Sequence, residues 1–426
     1  MPELLVRLKR PHEKQEILLN SPKKRIMCRA GRRSGKGQPL DARLWTRHGP
    51  ILMGDVQVGT EIATPNGWTV VEDIYPLGVR DIYSFQFSGG GSTECTDDHL
   101  WQVSTNRKDS GRYRPDRVLE TSELRSLSTV ELQRLSVPHQ GVVDFAPWPV
   151  PMDPYLLGVL LGDGGMSGWH NLRVSSADEE ILDSVRAALP AGHNLRHIAN
   201  YDYAISRGKY GMGRPGSLLD TLRLLGLYGR RSHEKFIPPS YLYNSREVRL
   251  ALLQGLMDTD GWVDSRGQGH LEQTSAQLAS DVCTLVESLG GFVRYGFKEN
   301  DHKGVHRSYI ILTDARDLFR LSRKKAKALP RAHSEARKIQ SIEHSRRVEA
   351  QCIKVSAPDG LYLTDHMIAT HNTTGLAGRA IRKFLDGARV LYATPTAQQL
   401  EQFWHEVRVA LAEPINAKLL LSLIHI

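Results

Sequence analysis

Cysteine is scarce in this chain. Four stand in 426 residues (Cys28, Cys95, Cys283 and Cys352), and no two form a C-x-x-C pair. A zinc ribbon therefore lacks its ligands, and four scattered thiols cannot build a disulfide-dense secreted scaffold. Long apolar runs are missing too. The longest, Tyr155–Leu161 and Leu419–Ile426, fall well short of the ~20 residues that a membrane span needs. No apolar stretch follows Met1, so a secretory signal is not expected, and the chain reads as intracellular. What is present suffices for folding. Hydrophobic residues make up 40%, which supports packed cores, and the length suits two or three domains. A net charge of +9 favours a polyanionic partner without naming one.

A further absence is local. Ala30-Gly31-Arg32-Arg33-Ser34-Gly35-Lys36 is most of a phosphate-binding loop, G-x-x-x-x-G-K-[ST], with Ala30 where the pattern has its first glycine. Gly35 lets a backbone approach phosphate, and Lys36 brings a positive charge. The hydroxyl that should follow is missing. Gly37 stands there, then Gln38-Pro39, and a proline at that place opens no helix. The missing piece lies near the other end. Removing 37–372 joins Lys36 to Thr373 and gives A-G-R-R-S-G-K-T-T-G-L-A, a loop that runs into a helix. A short apolar strand (Arg389–Thr394) and an amphipathic helix (Gln399–Leu411) come next. The joined pieces resemble the ATPase domain of phage terminase large subunits, the motors that package DNA. That resemblance implies ATP and Mg²⁺ for the complete spliced host alone, bound through Gly31, Ser34, Gly35, Lys36 and Thr373. No apolar strand ending in Asp-Glu occurs in 1–36 or 373–426, so the host reads as a truncated P-loop α/β ATPase.

The insert divides in turn. Residues 37–136 carry short β-type runs punctuated by Pro65-Asn66-Gly67 and Ser88-Gly89-Gly90-Gly91-Ser92, which predicts an all-β module. Ile353–Val355 and Leu361–Leu363 supply further strands near the end. His371-Asn372-Thr373 closes the insert. The Asn372 side-chain amide can attack its own carbonyl, form a succinimide and cleave the Asn372–Thr373 bond. His371 can assist by proton transfer, and Thr373 offers a hydroxyl nucleophile. These features resemble an intein, whose fold is the Hint fold shared with Hedgehog autoprocessing domains. The resemblance makes Thr96-Asp97-Asp98-His99 the T-x-x-H block, with His99 acting on the Lys36–Gly37 amide and Thr96 orienting it. Most inteins begin with Cys or Ser, and this insert begins with Gly37. Trp101, Cys352 and Thr370 match the Trp-Cys-Thr triplet of the class that lacks a first-residue nucleophile. Splicing itself would need no cofactor.

Leu156-Leu157-Gly158-Val159-Leu160-Leu161-Gly162-Asp163-Gly164 returns 97 positions later as Leu253-Gln254-Gly255-Leu256-Met257-Asp258-Thr259-Asp260-Gly261. Gly158 and Gly255 would let two helices pack backbone to backbone. Asp163 and Asp260 would then sit together at helix C-termini, where the dipole disfavours a carboxylate unless a cation is near. Both copies resemble the dodecapeptides of LAGLIDADG (DOD-type) homing endonucleases, which implies a monomeric pseudo-dimer of αββαββα units. Mg²⁺ at Asp163 and Asp260 and a double-stranded DNA partner follow from the same resemblance. Residues Arg320–Arg347 hold ten Lys/Arg against two Glu and read either as a DNA-tracking segment or as a charged linker.

The expected chain is therefore multi-domain. An all-β Hint splicing domain (37–136 and 345–372) is split by an α/β LAGLIDADG endonuclease (150–330). Host fragments 1–36 and 373–426 flank it, with splice junctions at Lys36/Gly37 and Asn372/Thr373. The DNA target would be the uninterrupted terminase gene, the setting a bacterial cytoplasm with a phage or prophage gene. A full terminase would need host sequence that is missing. Two other readings stay open: a splicing-dead insert that still cuts DNA, because Gly37 abolished splicing, and a DNA-binding insertion without activity.

Overall fold

The computed structural model describes residues 37–105, 117–166, 172–207, 218–299, 304–311, 315–330 and 337–371; for 298–299 and 304–311 it describes the backbone alone. Both flanks, 1–36 and 372–426, lie outside these residues, and with them Gly31, Ser34, Gly35, Lys36, Asn372 and Thr373.

Two long strands frame the first domain. Gly67–Phe87 runs antiparallel to Arg337–Val355, with pairs from Val71↔Val355 to Phe87↔Ile339. Side chains alternate inward and outward along them, as in Thr69, Val70, Val71 and Glu72. Breaks in register near Ser341, His344 and Ala350 bend the ribbon, so its two ends serve different parts of the core. At one end Phe85, Phe87 and Ile339 pack with Trp101. At the other Val71, Ile353 and Val355 pack with Leu44, Met53 and Ile62. Around this pair the sheet counts ten strands, among them Gln38–Pro39 at the head of the insert and Ala369–His371 at its tail. Both ends of the insert thus belong to one β-sheet.

The sheet also corrects the far boundary. The strand begins at Arg337, ahead of 345, and Arg337–Arg347 of the basic stretch is strand and not linker. Lys338, Glu343, His344 and Arg347 are exposed, while Arg337, Ile339 and Ala350 are buried. The many exposed polar positions had hidden the strand from composition.

The inserted domain repeats one plan. Helix Pro154–Asp163 leads to strands Gly164–Gly165 and Leu172–Ser175, helix Glu179–Ala188, strands His193–Ala199 and Asp202–Arg207, and helix Leu218–Leu224. Helix Arg246–Thr259 leads to Gly261–Val263 and Gly269–Gln273, helix Ala276–Ser288, strands Phe292–Glu299 and Gly304–Ile311, and short turns through Ser322–Lys325. Each half forms a four-stranded antiparallel sheet with the same strand order. Local sequence starts the helices. Asp153 caps the first through Leu156 N (3.0 Å) with Pro154 behind it, and Ser275 caps Ala276–Ser288 through Leu278 N (3.1 Å). The helices Pro154–Asp163 and Arg246–Thr259 cross at their glycines. A Cβ on Gly158 would lie 2.2 Å from Leu252 O, and one on Gly255 would lie 2.3 Å from Tyr155 O. Only hydrogen fits at either place. Among the described residues no helix is long and apolar enough to cross a membrane.

Candidate splicing and DNA-cleavage sites

The first site gathers residues from both ends of the insert. The Gly37 amide, which is the nitrogen of the Lys36–Gly37 bond, donates to Thr96 Oγ1 at 3.0 Å. Thr96 N donates back to Gly37 O at 2.9 Å. Thr96 is the last residue of strand Ser92–Thr96, and the turn after it delivers His99, which is wholly buried. His99 Nε2 hydrogen-bonds Thr370 Oγ1, and strand Ala369–His371 pairs His371 with Leu100. Trp101 lies edge-on to the His99 ring (centroids 5.5 Å apart) and against Phe85 (4.4 Å). The structure thus brings together Gly37, Thr96, His99, Trp101, Thr370 and His371.

Cys352 borders the same place. Strand Gln38–Pro39 pairs Gln38 with Gln351, so the register continued by one residue sets Gly37 opposite Cys352. A Cβ on Gly37 would fall 2.4 Å from Leu77 Cδ1 and 2.8 Å from Gln351 O. Leu77 also belongs to the small apolar cluster against which Cys352 packs. The Cys352 thiol is partly exposed and touches Ile353 O at 3.6 Å. Cys95 and Cys283 differ: burial pushes each thiol up to about 12, which leaves neither a ready thiolate.

Three supporting residues had no sequence signal. Thr121 accepts from Trp101 Nε1 (3.1 Å) and donates to His99 O (3.3 Å), which ties the indole to the His99 backbone. Gln38 is fully buried, and its amide reaches Thr364 Oγ1 (2.9 Å) while its oxygen accepts from Tyr362 (3.2 Å). Each is a common polar residue, picked out only by its contacts. Tyr362, buried beside Cys352 and Cys95, has its phenol held well above the ordinary range by desolvation.

The second site lies where the two glycine-crossed helices end. A Cβ on Gly162 would meet the Asp260 carboxyl carbon at 3.5 Å, so the two helix ends are in contact. Asp163 opens to solvent, yet its carboxyl is raised to about 6, by desolvation first and then by the facing Asp260. Desolvation raises Asp260 too, opposed by Gln273, whose Nε2 donates to it at 2.6 Å. Asp258, two residues earlier, has a different job. It is buried and accepts from Tyr155 (2.9 Å) and Leu321 N (3.1 Å), tying its helix to the chain that follows the second sheet.

Two lysines that sequence reasoning missed complete this site. Lys235 Nζ donates to four carbonyls that end the first helix, Leu160, Leu161, Gly162 and Gly164, at 2.8 to 3.1 Å. Lys324 Nζ does the same to Met257, Asp258, Thr259 and Gly261 at 2.6 to 3.2 Å. Each cation satisfies orphan carbonyls and answers the negative end of a helix dipole. Desolvation lowers Lys235 and lowers Lys324 to about 8, while Asp163 opposes the shift in both. Two carboxylates, oxygen donors only, suit a hard divalent cation that takes its remaining ligands from water and phosphate.

Comparison with known proteins matches part of the chain to a family. Residues 247–324 match the LAGLIDADG-like domain. The chain is 29% identical over 369 residues to the replicative DNA helicase DnaB of Mycobacterium intracellulare, covering 80% of this chain and 59% of that protein. It is 27% identical over 232 residues to protein RecA of Mycobacterium tuberculosis, covering 51% of this chain and 26% of that one. It thus spans about three-fifths of the first relative and about a quarter of the second. Neither of these two relatives is a terminase. Among solved structures, the MchDnaB-1 intein is 12% identical, with 79% of this chain and 99% of that chain covered and a TM-score of 0.26. The homing endonuclease I-DmoI in complex with DNA and Mn is 16% identical, with 38% and 89% covered and a TM-score of 0.27. Residues 247–324, the second half of the inserted domain, thus carry a LAGLIDADG-like domain.

Proposed function

We propose that the 37–372 segment excises itself and joins its flanks, that its inner domain cuts double-stranded DNA, and that its host is a terminase-type ATPase. One observation carries the splicing reading: Gly37 and Thr370-His371, from opposite ends of the insert, meet on the Thr96–His99 turn. Gly37 has no nucleophile, so Cys352 supplies it. The thiolate attacks the Lys36 carbonyl, a thioester forms, and the Lys36–Gly37 bond breaks, with the Gly37 nitrogen leaving as an amine. Thr96 holds that nitrogen, and the His99–Thr370 pair stands ready to deliver its proton. Trp101 walls the His99 ring from water. The Thr373 hydroxyl then takes the acyl group from Cys352 and releases the thiol. Asn372, assisted by His371, cyclises and frees the insert, and the acyl group moves from the Thr373 oxygen to its nitrogen, making the Lys36–Thr373 amide.

In the DNA-cleaving domain Asp163 and Asp260 would hold Mg²⁺, which when bound supplies Lewis-acid polarisation of the scissile phosphate and a nucleophilic water. Gln273 orients Asp260, and Lys235 and Lys324 place positive charge beside a phosphodiester. The restored A-G-R-R-S-G-K-T loop supports a terminase-type host whose uninterrupted gene is the DNA target, since insertion destroys the site. Mass spectrometry of the purified chain tests the splicing reading: release of 37–372 with ligated flanks is expected. An intact chain that still cuts DNA would favour the splicing-dead reading. Cleavage of an uninterrupted terminase gene, with and without chelator, tests the nuclease.

A further inference from the structure

We infer that the DNA-cleaving domain is a working part of the splicing site, because Glu287 on its helix Ala276–Ser288 positions the Thr364–His371 segment. This rests on the splicing reading above. Glu287 sits in the last turn of that helix and is buried, two conditions that both disfavour its charge. The compensating cations come from the splicing domain. His366 Nδ1 lies 3.1 Å from Glu287 Oε1, and Arg337 Nη2 lies 3.8 Å from the same oxygen. Arg337 is buried and also donates Nη1 to His366 O at 2.5 Å. His366 is thus gripped at its ring by one domain and at its carbonyl by the other.

The turn needs such a grip. His366 and Met367 both have φ 52°, a left-handed backbone that only glycine adopts without steric cost. Its other face is wired to the splice site. The Asp365 carboxylate accepts from Arg43 N and Thr93 Oγ1, each at 3.0 Å, and Thr93 shares a strand with Thr96. Thr364 Oγ1 accepts from Gln38, the neighbour of Gly37. Past the turn the chain runs through Ile368 and Ala369 straight into Thr370-His371. A displacement of His366 therefore reaches both junctions. The charged groups facing its ring are Glu287, Arg337 and Asp365, and Glu287 holds its imidazole above the ordinary range although burial opposes this.

The test uses the full chain and two readouts, splicing by mass spectrometry and cleavage of an uninterrupted-gene DNA. Glu287→Gln keeps the shape and removes the charge; splicing should slow about tenfold and the melting midpoint should fall, because Arg337 loses its counter-charge, while DNA cleavage measured well below that midpoint holds. Glu287→Asp should restore most of the rate. His366→Asn tolerates the left-handed backbone and should slow splicing equally, with no further loss in the double variant. If the wild-type chain does not splice, the splicing reading falls and this inference falls with it. Unchanged splicing in Glu287→Gln overturns the inference alone. So does parallel loss of splicing and DNA cleavage, or additive loss of splicing in the double variant.

Discussion

Replacing Gly37 by cysteine would give the insert the first residue that most inteins carry, yet the structure leaves no room for it. A Cβ there would sit 2.8 Å from Gln351 O, where ordinary contact begins at 3.4 Å. The Leu77 methyl, 2.4 Å away, can rotate aside; the carbonyl belongs to the central strand Arg337–Val355 and cannot. Gly37 must then back away by about 0.6 Å, which moves its amide, the nitrogen of the scissile bond, off Thr96. Misplacement by ~1 Å can cost about a hundredfold in rate, so roughly tenfold is expected here. The assay is a splicing time course for wild type, Gly37→Ala, Gly37→Cys and Gly37→Cys/Cys352→Ala. Gly37→Ala should splice about ten times more slowly, and the double variant should give no ligated product. Full-rate splicing by Gly37→Ala, or rescue of Cys352→Ala by the new cysteine, would refute the reasoning.

Other expectations follow from the cleavage domain. Gly158→Ala gains about 1 kcal/mol of helix propensity but drives a Cβ to within 2.2 Å of Leu252 O. Overpacking of this kind costs about 1–3 kcal/mol, so urea melts should show net destabilisation and DNA cleavage should fall; an unchanged midpoint would argue against the close crossing. The Asp163 carboxyl, near 6 when folded against 3.8 when free, makes the folded state bind the extra proton. Metal-free stability should therefore fall as pH rises from about 4 through 6, and Asp163→Asn should flatten that fall and abolish cutting; an unaltered melting profile would count against the assignment. Mg²⁺ should bind more weakly below about pH 6, where Asp163 takes a proton, as titration calorimetry can show. Lys324→Met strips four helix-end carbonyls of their donor and should destabilise the domain by about 2 kcal/mol, read from the urea midpoint.

Much of this architecture was legible because the informative residues repeat or border each other in sequence. The Gly158/Asp163 and Gly255/Asp260 pattern occurs twice, and a glycine that must admit a neighbouring backbone leaves no freedom of interpretation. The αββαββα plan of both halves was implied by the family resemblance that this pattern carries. The junction rests on sequence alone: Lys36 and Thr373, both outside the described residues, make sense only when joined. Lys235 and Lys324 were illegible for the opposite reason. They are two among 56 basic residues, and their role exists only once the chain closes back on the helix ends. Glu287, Arg337 and His366 form a cluster from three distant segments, with no motif to mark it. Arg337–Arg347 misled because most of its charges are exposed and only a few positions, Arg337 among them, turn into the core. Thr121 and Gln38 act through geometry that no spacing rule encodes.

The central claim is that Cys352 takes the acyl group from Lys36. Its most direct test is thiolysis in a chain that cannot release its C-terminal flank. In Asn372→Ala, added dithiothreitol should free residues 1–36 by attacking a thioester at Cys352, and mass spectrometry should find that fragment. In Asn372→Ala/Cys352→Ala the fragment should be absent. Its undiminished release from the double variant would contradict the account and leave Cys352 a structural residue beside Leu77.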